Sequence, residues 1–218
     1  MIVGLIPDGN RRYAEKQGIP RIEGFRRGAE TLRDFFDFCS RKHISTGIIY
    51  ALSEDNLNRT VDELKELFTV YEEQFLKYLH PDSEAHRRRV RFTFYSTQPN
   101  MLPTSLKAVM RQLTKATKAY TNHHLKILMA WDARHELLNA CLKVARKPRS
   151  KMESFLMVKD KPNLIIRTGH HQRLSGFLSV QARYSELYFI KKLFPECIEE
   201  DWKNALSWYS AQQKKFGR

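Results

Sequence analysis

Ile2-Val3-Gly4-Leu5-Ile6-Pro7-Asp8-Gly9-Asn10-Arg11-Arg12 decides how the rest of the chain is read. Its first five residues carry no polar side chain and form a short, fully buried strand. Pro7-Asp8-Gly9-Asn10 is turn chemistry that ends it. Working outward, residues 28–42 read as a helix, with Leu32, Phe35, Phe36 and Cys39 at helical spacing. Thr46-Gly47-Ile48-Ile49-Tyr50-Ala51-Leu52 is a second buried strand, broken by Ser53-Glu54-Asp55-Asn56. Thr60-Val61-Asp62-Glu63 is a capping box. It opens a long helix that carries Leu64, Leu67, Phe68, Tyr71 and Phe75 and ends near His80-Pro81. Further on, 90–95 alternates like a strand, 104–120 is a basic amphipathic helix, 125–131 a strand and 133–145 a helix. The basic stretch 143–151 reads as a surface loop, 164–166 as a buried strand, 187–189 as a strand or helix edge, and 199–214 as a last helix. Strands alternate with helices, with no repeat and no low-complexity linker. The expectation is one α/β domain over residues 1–218, a central, mostly parallel sheet flanked by helices.

Composition narrows the function. The chain has 218 residues, 42% of them hydrophobic, enough for a sizeable core. Lysine and arginine outnumber aspartate and glutamate 38 to 24, a net charge of +14 that favours polyanionic partners. No apolar run is long enough to span a membrane. Residues 1–6 lack the basic lead of a signal peptide. Cys39, Cys141 and Cys197 are far apart and odd in number, which suits a reducing cytoplasm better than a disulfide framework or a zinc site.

In parallel sheets ligands bind outside the carboxyl ends of the strands. Three polar runs follow candidate strands and should open onto one face. In Asp8-Gly9-Asn10-Arg11-Arg12 a glycine lets backbone amides approach an anion, and two arginines offer planar donors. The lone carboxylate, Asp8, suits a Mg²⁺ that bridges to phosphate oxygens. An ordinary strand-to-helix turn with solvated arginines has the same residues. Ser53-Glu54-Asp55-Asn56-Leu57-Asn58-Arg59 is rich in hydrogen-bonding groups, as a turn and helix cap also would be. Arg167-Thr168-Gly169-His170-His171-Gln172-Arg173-Leu174-Ser175 places two arginines around a glycine turn, a reasonable diphosphate clamp. The basic stretches at 87–91 and 143–151 lack the interleaved aromatics of a nucleic-acid stacking platform.

Taken together, the runs resemble the cis-prenyltransferase family, of the undecaprenyl diphosphate synthase type, over nearly the whole chain. Asp8-Gly9-Asn10-Arg11-Arg12-Tyr13-Ala14 is similar to D-G-N-x-R-[WY]-A. Arg21 with Gly24 and Gly28 is similar to R-x-x-G-H-x-x-G, and residues 50–59 to Y-A-F-S-x-E-N-W-x-R. Residues 167–175 resemble R-T-x-G-E-x-R-[LI]-S, followed by Tyr184-Ser185-Glu186-Leu187-Tyr188-Phe189 for Y-x-E-[LF]-x-F.

The resemblance implies an α/β fold with an apolar tunnel beside the sheet. It implies Mg²⁺-dependent transfer of an allylic prenyl group to an isopentenyl-type diphosphate. It implies a dimer, homodimeric or heterodimeric, with a homodimer expected here, whose C-terminal R-x-G completes the partner's site; Lys215-Phe216-Gly217 stands there in this sequence. Asp8 is implied as catalytic Mg²⁺ ligand, Glu186 as a second metal-associated carboxylate, and Asn56 with Ser53 as groups linked to proton removal. Gly9, Asn10, Arg11, Arg12 and Arg21 are implied around the allylic diphosphate, and Arg59, Arg167, Arg173 and Ser175 around the second diphosphate. Tyr13, Ser53, Glu54, Asp55 and Leu174 are implied as further substrate-binding residues. The implied location is cytoplasmic, with peripheral contact to membrane lipid allowed for.

Departures from the pattern set further expectations. Phe25 replaces a usual His, Leu57 a Trp, Asp55 a Glu, and Asn163 an Asp. His170-His171 replaces Gly-Glu, and Gln172 a His. Around Lys126 and Trp131-Asp132-Ala133, only Arg134 remains of N-x-x-x-Y-G-G-R. The diphosphate grips are kept while the second substrate's surroundings change. This leads to the expectation of short or unusual products, including non-head-to-tail condensation. Phe35, Phe36 and Phe38 are the candidate plugs of the tunnel. The alternatives are a catalytically silent accessory subunit, against which the retained Asp8 speaks, and a nucleic-acid binder, supported by charge alone.

Overall fold

The computed structural model describes residues 1–212. Six strands form one sheet: β1 (Ile2–Ile6), β2 (Thr46–Tyr50), β3 (Val90–Tyr95), β4 (His123–Leu128), β5 (Leu164–Arg167) and β6 (Glu186–Phe189). Their order is β3-β4-β2-β1-β5-β6, and every pairing is parallel. The helices are α1 (Asn10–Gln17), α2 (Arg21–Arg41), α3 (Val61–Leu79), α4 (Glu84–Arg87), α5 (Thr104–Thr117), α6 (Ala133–Arg146) and α7 (Glu199–Ala211).

The apolar runs do become the buried strands. β1 and β2 each pair on both sides, so both faces need cover and no polar alternation survives. Alternate residues of a strand serve opposite faces. Val3, Leu5, Ile49 and Ile166 pack under Phe35, Phe38 and Trp202, while Ile6, Ile48, Tyr50 and Ile165 pack with Trp131, Val158 and Phe177. A third cluster fills the space between α2, α3, α5 and the sheet, around Phe25, Leu67, Phe75, Phe92 and Leu106.

Helix boundaries differ from the sequence reading in one place that matters. The helix expected at residues 28–42 starts at Arg21, and α1 precedes it. Gly24 and Gly28 weakened the helical signal. They are glycines because the chain approaches there: a Cβ on Gly24 would lie 2.6 Å from the Asn10 carbonyl oxygen, and one on Gly28 2.4 Å from Asn10 Oδ1. Thr60 caps α3 as expected, its hydroxyl accepting from the Glu63 amide at 3.3 Å. The expected end of the last helix at Lys214, and Lys215-Phe216-Gly217, lie outside the described residues.

Candidate active site

β2, β1 and β5 are adjacent in the sheet, and β1 is where the chain's strand order changes direction. That is the switch point at which open parallel sheets form a crevice. The loops leaving these three strands are the three polar runs, and they line one cleft of about 390 Å³.

The first loop is built for an anion. Gly9 adopts φ 125°, a conformation costly to other residues, directly before α1. The first backbone bond of α1 runs from Tyr13 N to Gly9 O, so the amides of Asn10, Arg11 and Arg12 have no helical partner. The first turn carries no acid, and the positive end of the helix dipole stays uncompensated. Thr168 clips this loop to β5: the Asp8 amide donates to Thr168 Oγ1 at 2.9 Å, and that hydroxyl donates to the Asp8 carbonyl at 2.8 Å.

Asp8 is gripped on both oxygens. Arg12 Nη2 donates to Oδ1 at 2.9 Å and Arg167 Nη2 donates to Oδ2 at 2.8 Å. Arg167 is 4% exposed, and its other terminal nitrogen donates to Ser175 Oγ at 2.8 Å and to the Arg173 carbonyl. Among the described residues its Nε is buried without a partner, as is Asn10 Oδ1. An unpartnered buried donor and acceptor on one cleft wall are available to a bound ligand. On the opposite wall Ser53 and Asn56 face each other across a 3-10 turn. The Asn56 amide donates to Ser53 Oγ at 3.2 Å and the Ser53 amide to Asn56 Oδ1 at 3.4 Å. Arg59 is steered by the buried Glu63 carboxylate at 3.2 Å, which also lies 3.7 Å from Arg11.

The cleft thus brings together Asp8, Gly9, Asn10, Arg11, Arg12, Ser53, Asp55, Asn56, Arg59, Arg167, Arg173 and Ser175. Five expected residues are not on its wall. Tyr13 lies a turn into α1 and is not among the lining residues. Arg21 donates from Nε to Glu66 at 2.8 Å, and that carboxylate raises its pKa. Glu54 turns away to accept from Thr97 Oγ1 at 2.5 Å and to pair with His135. Leu174 packs against the core on the other face. Glu186 is aligned with Leu164, three residues before Arg167, so it sits about 10 Å down the sheet from the Asp8 end. It lines instead a surface depression of about 640 Å³ beside β6, larger than the cleft but holding none of the arginine loops.

Sequence reading gave no site role to several other wall residues, among them Tyr50, Leu67 and Tyr71. Tyr71 donates to the Ala51 carbonyl and Tyr50 to the Trp131 carbonyl at 3.0 Å. Burial pushes both phenols up, so they remain neutral donors. On α3, Leu67 and Tyr71 have the spacing of ordinary core residues, and no sequence signal separated them.

Behind the cleft lies an apolar cavity of about 80 Å³ between α2, α3 and the sheet, sharing Pro7, Asn10, Phe25, Ala51, Leu67 and Tyr71 with it. Phe36 and Tyr78 stand at its far side, and both also line a further void of about 40 Å³. Of the three candidate plugs only Phe36 faces this space. Phe35 and Phe38 belong to the Trp202 core, with the Phe35 and Trp202 rings 5.1 Å apart.

Among the described residues no group of three or more His, Cys, Asp or Glu side chains could hold a metal ion unaided. Mg²⁺ is usually held by one or two carboxylates together with substrate phosphates. Asp8, with Asp55 on the same wall, fits that donor set.

A switch-point cleft lined with arginines and opening into an apolar pocket suits a ligand with a diphosphate head and a hydrocarbon tail. Comparison with known proteins agrees: the family described as "Putative undecaprenyl diphosphate synthase" matches residues 6–217. A tritrans,polycis-undecaprenyl-diphosphate synthase (geranylgeranyl-diphosphate specific) of Methanopyrus kandleri is 34% identical over 99% of this chain and 84% of its own. An isoprenyl transferase of Aquifex aeolicus is 33% identical over 99% and 95%. The lavandulyl diphosphate synthase of Lavandula x intermedia, solved with dimethylallyl diphosphate, superposes with a TM-score of 0.91 at 28% identity, over 100% of this chain and 98% of that one. A probable undecaprenyl diphosphate synthase of Campylobacter jejuni shares the fold, with a TM-score of 0.84 at 22% identity over 100% and 98%. The chain belongs to the undecaprenyl diphosphate synthase family and is a prenyltransferase.

Proposed function

We propose that this protein condenses a short allylic prenyl diphosphate with isopentenyl diphosphate or a related prenyl diphosphate, and that its products are short. The observation that carries this reading is the size of the apolar cavity. An engineered cavity of about 150 Å³ holds one benzene. The 80 Å³ behind the cleft, bounded at its far side by Phe36 and Tyr78, therefore has room for the end of a short tail entering from the cleft and not for a long polyprenyl chain.

The roles follow from position. The free amides of α1 with Arg11 and Arg12 receive the allylic diphosphate. Arg59, Arg167, Arg173 and Ser175 receive the second one. When an anion arrives, Arg12 and Arg167 exchange the Asp8 carboxylate for phosphate oxygens, which frees Asp8 to hold Mg²⁺. A Mg²⁺ held by Asp8 would supply charge neutralisation for the leaving diphosphate. The allylic C1–O bond breaks with its electrons on the diphosphate. The acceptor's π bond attacks C1, and a proton beside Ser53 and Asn56 passes to the departed diphosphate, the electrons of its C–H bond closing the new double bond. Fixed positive charge around the leaving group supplies the main electrostatic help. Retention of Asp8 and both arginines favours this over a silent accessory subunit. The chain is proposed to act as one domain and as a homodimer, with peripheral lipid contact supplied by its apolar product. Among the described residues no helix is long and apolar enough to cross a membrane.

A second reading is non-head-to-tail joining of two allylic diphosphates. It is favoured by the likeness to the lavandulyl diphosphate synthase and by the altered residues Phe25 and His171 on the cleft wall. One experiment tests both. The protein is incubated with Mg²⁺ and a panel of allylic diphosphates, with and without labelled isopentenyl diphosphate. Products are then read by mass and by the position of the new bond. One or two added units are expected. Branched products from dimethylallyl diphosphate alone would select the second reading, and chains of ten or more units would overturn the short-product proposal.

A further inference from the structure

The loop after β5 leaves the strand through two left-handed residues, Gly169 at φ 82° and His170 at φ 70°. This turn separates the two adjacent histidines. His170 is exposed and lies on the side of Glu196, whose carboxyl pKa is lowered chiefly by its hydrogen bond from Lys16 and least by His170. His171 returns to the wall of the diphosphate cleft, among Arg12, Arg167 and Arg173.

Among the described residues His171 makes no ion pair with Asp8 or any other carboxylate, and its ring nitrogens have no hydrogen-bond partner. The charges that face it come from every neighbouring element. Arg173 is on its own loop, Asp8 on the loop after β1, Arg12 on α1 and Arg167 on β5, while Arg11, Asp55 and Arg59 complete the wall. The cleft therefore holds an unpartnered imidazole in a ring of guanidinium groups.

We propose that His171 is a diphosphate-binding residue of this cleft, donating from its imidazole to phosphate oxygens and taking up a proton as they arrive. The inference rests on the diphosphate reading of the cleft. Arg173, more than any other group, holds the His171 pKa below the usual imidazole range, so the ring is mainly neutral in the free protein at pH 7. A bound diphosphate adds negative charge and occupies the arginines. Both changes raise the His171 pKa, and imidazolium becomes the favoured form. The neutral ring thus costs no repulsion while the cleft is empty and becomes a charged donor once it is filled.

The test is calorimetric titration of inorganic diphosphate into the full chain at pH 7, without divalent cations, in two buffers of different ionisation enthalpy. Comparing buffers counts the protons exchanged. The unsubstituted protein should take up a fraction of a proton. His171→Gln should lose that uptake, relative to the ligand's own protonation, and bind on the order of tenfold more weakly, as for one lost charge-assisted hydrogen bond. His170→Gln should change neither quantity. Unchanged affinity and proton count in His171→Gln, with an unchanged melting temperature, would overturn the inference and leave the cleft reading standing. Failure of the unsubstituted protein to bind diphosphate at all would overturn both.

Discussion

The polar cleft and the apolar cavity behind it share a wall but are built on different terms. The cleft is made by loops that leave three neighbouring strands, and each loop brings consecutive residues to the site. The cavity is made by faces of α2 and α3, where one residue in three or four is presented and its neighbours serve other cores. Chemistry in the cleft depends on residue type: Asp8 between Arg12 and Arg167 works only as a carboxylate between two guanidiniums. The cavity differs in that facing decides what lines it: Phe36 does and Phe35 does not, although both are phenylalanine, and on the proposed reading this is what would select product size. Changes at the two ends should therefore fail differently, the first in rate and the second in product.

The largest loss of turnover is expected at Asp8. Asp8→Ala leaves Arg12 and Arg167 without their shared counter-charge and removes the carboxylate fitted to Mg²⁺. Turnover should fall on the order of 10²-fold or more. Product length should not change, because the cavity is untouched. Chelation of divalent cations should stop the unsubstituted enzyme to a similar degree. Near-normal steady-state rates for Asp8→Ala with Mg²⁺ present would remove the rate-determining role from the polar end.

The same contrast governs what the sequence revealed. β1, β2 and β5 are paired on both sides, so they read as uninterrupted apolar runs, and their order with the intervening helices made the parallel sheet legible. The loops were legible because turn residues and arginines stand next to each other in the chain. Glu186 misled because its distance from Asp8 is set by strand register, which one sequence does not specify. Arg21 and Glu54 misled because each met a partner from a distant segment, Glu66 and His135, which no local pattern announces. The facing of Phe35, Phe36 and Phe38 was hidden because the charged stripe Glu23, Arg27, Glu30, Asp34, Asp37 and Arg41 marks only the solvent side of α2, and the broad apolar face opposite it serves both the Trp202 core and the cavity against α3.

A smaller effect should come from the two glycines of α2, which sit at the junction of the regions. The methyl of Gly28→Ala would stand 2.4 Å from Asn10 Oδ1, so the Asn10 side chain must swing away. Turnover should drop by about tenfold, the size of one lost polar contact in a preorganised site, with little change in melting temperature. Gly24→Ala meets backbone instead, the Asn10 carbonyl at 2.6 Å and Ala14 Cβ at 2.8 Å. It should destabilise by about 1–3 kcal/mol, as overpacking does. Steady-state kinetics and thermal unfolding on the two variants separate these outcomes. Equal melting temperatures with equal rates would mean that α2 does not hold the cleft's floor.

The smallest effect on turnover, and the clearest on product, is expected at Phe36. Its ring and that of Tyr78 stand between the 80 Å³ cavity and the 40 Å³ void beyond. Phe36→Ala removes one side of that partition and joins the two spaces toward the gap between α2, α4 and β3. The cleft is left intact, so turnover should change little while the main product gains one or two isoprene units. Phe35→Ala is the control on the same helix. It empties a site 1% exposed against Trp202 and should destabilise by about 3–5 kcal/mol. Its products should keep their length, because the ring never faced the cavity. Mass analysis of products from both variants, beside their melting temperatures, decides the matter. Longer products from Phe35→Ala, or unchanged products from Phe36→Ala and from the Phe36→Ala/Tyr78→Ala pair, would show that cavity facing does not set the length. In that case control would pass to the rate at which product leaves the cleft, and the polar end would govern both rate and product.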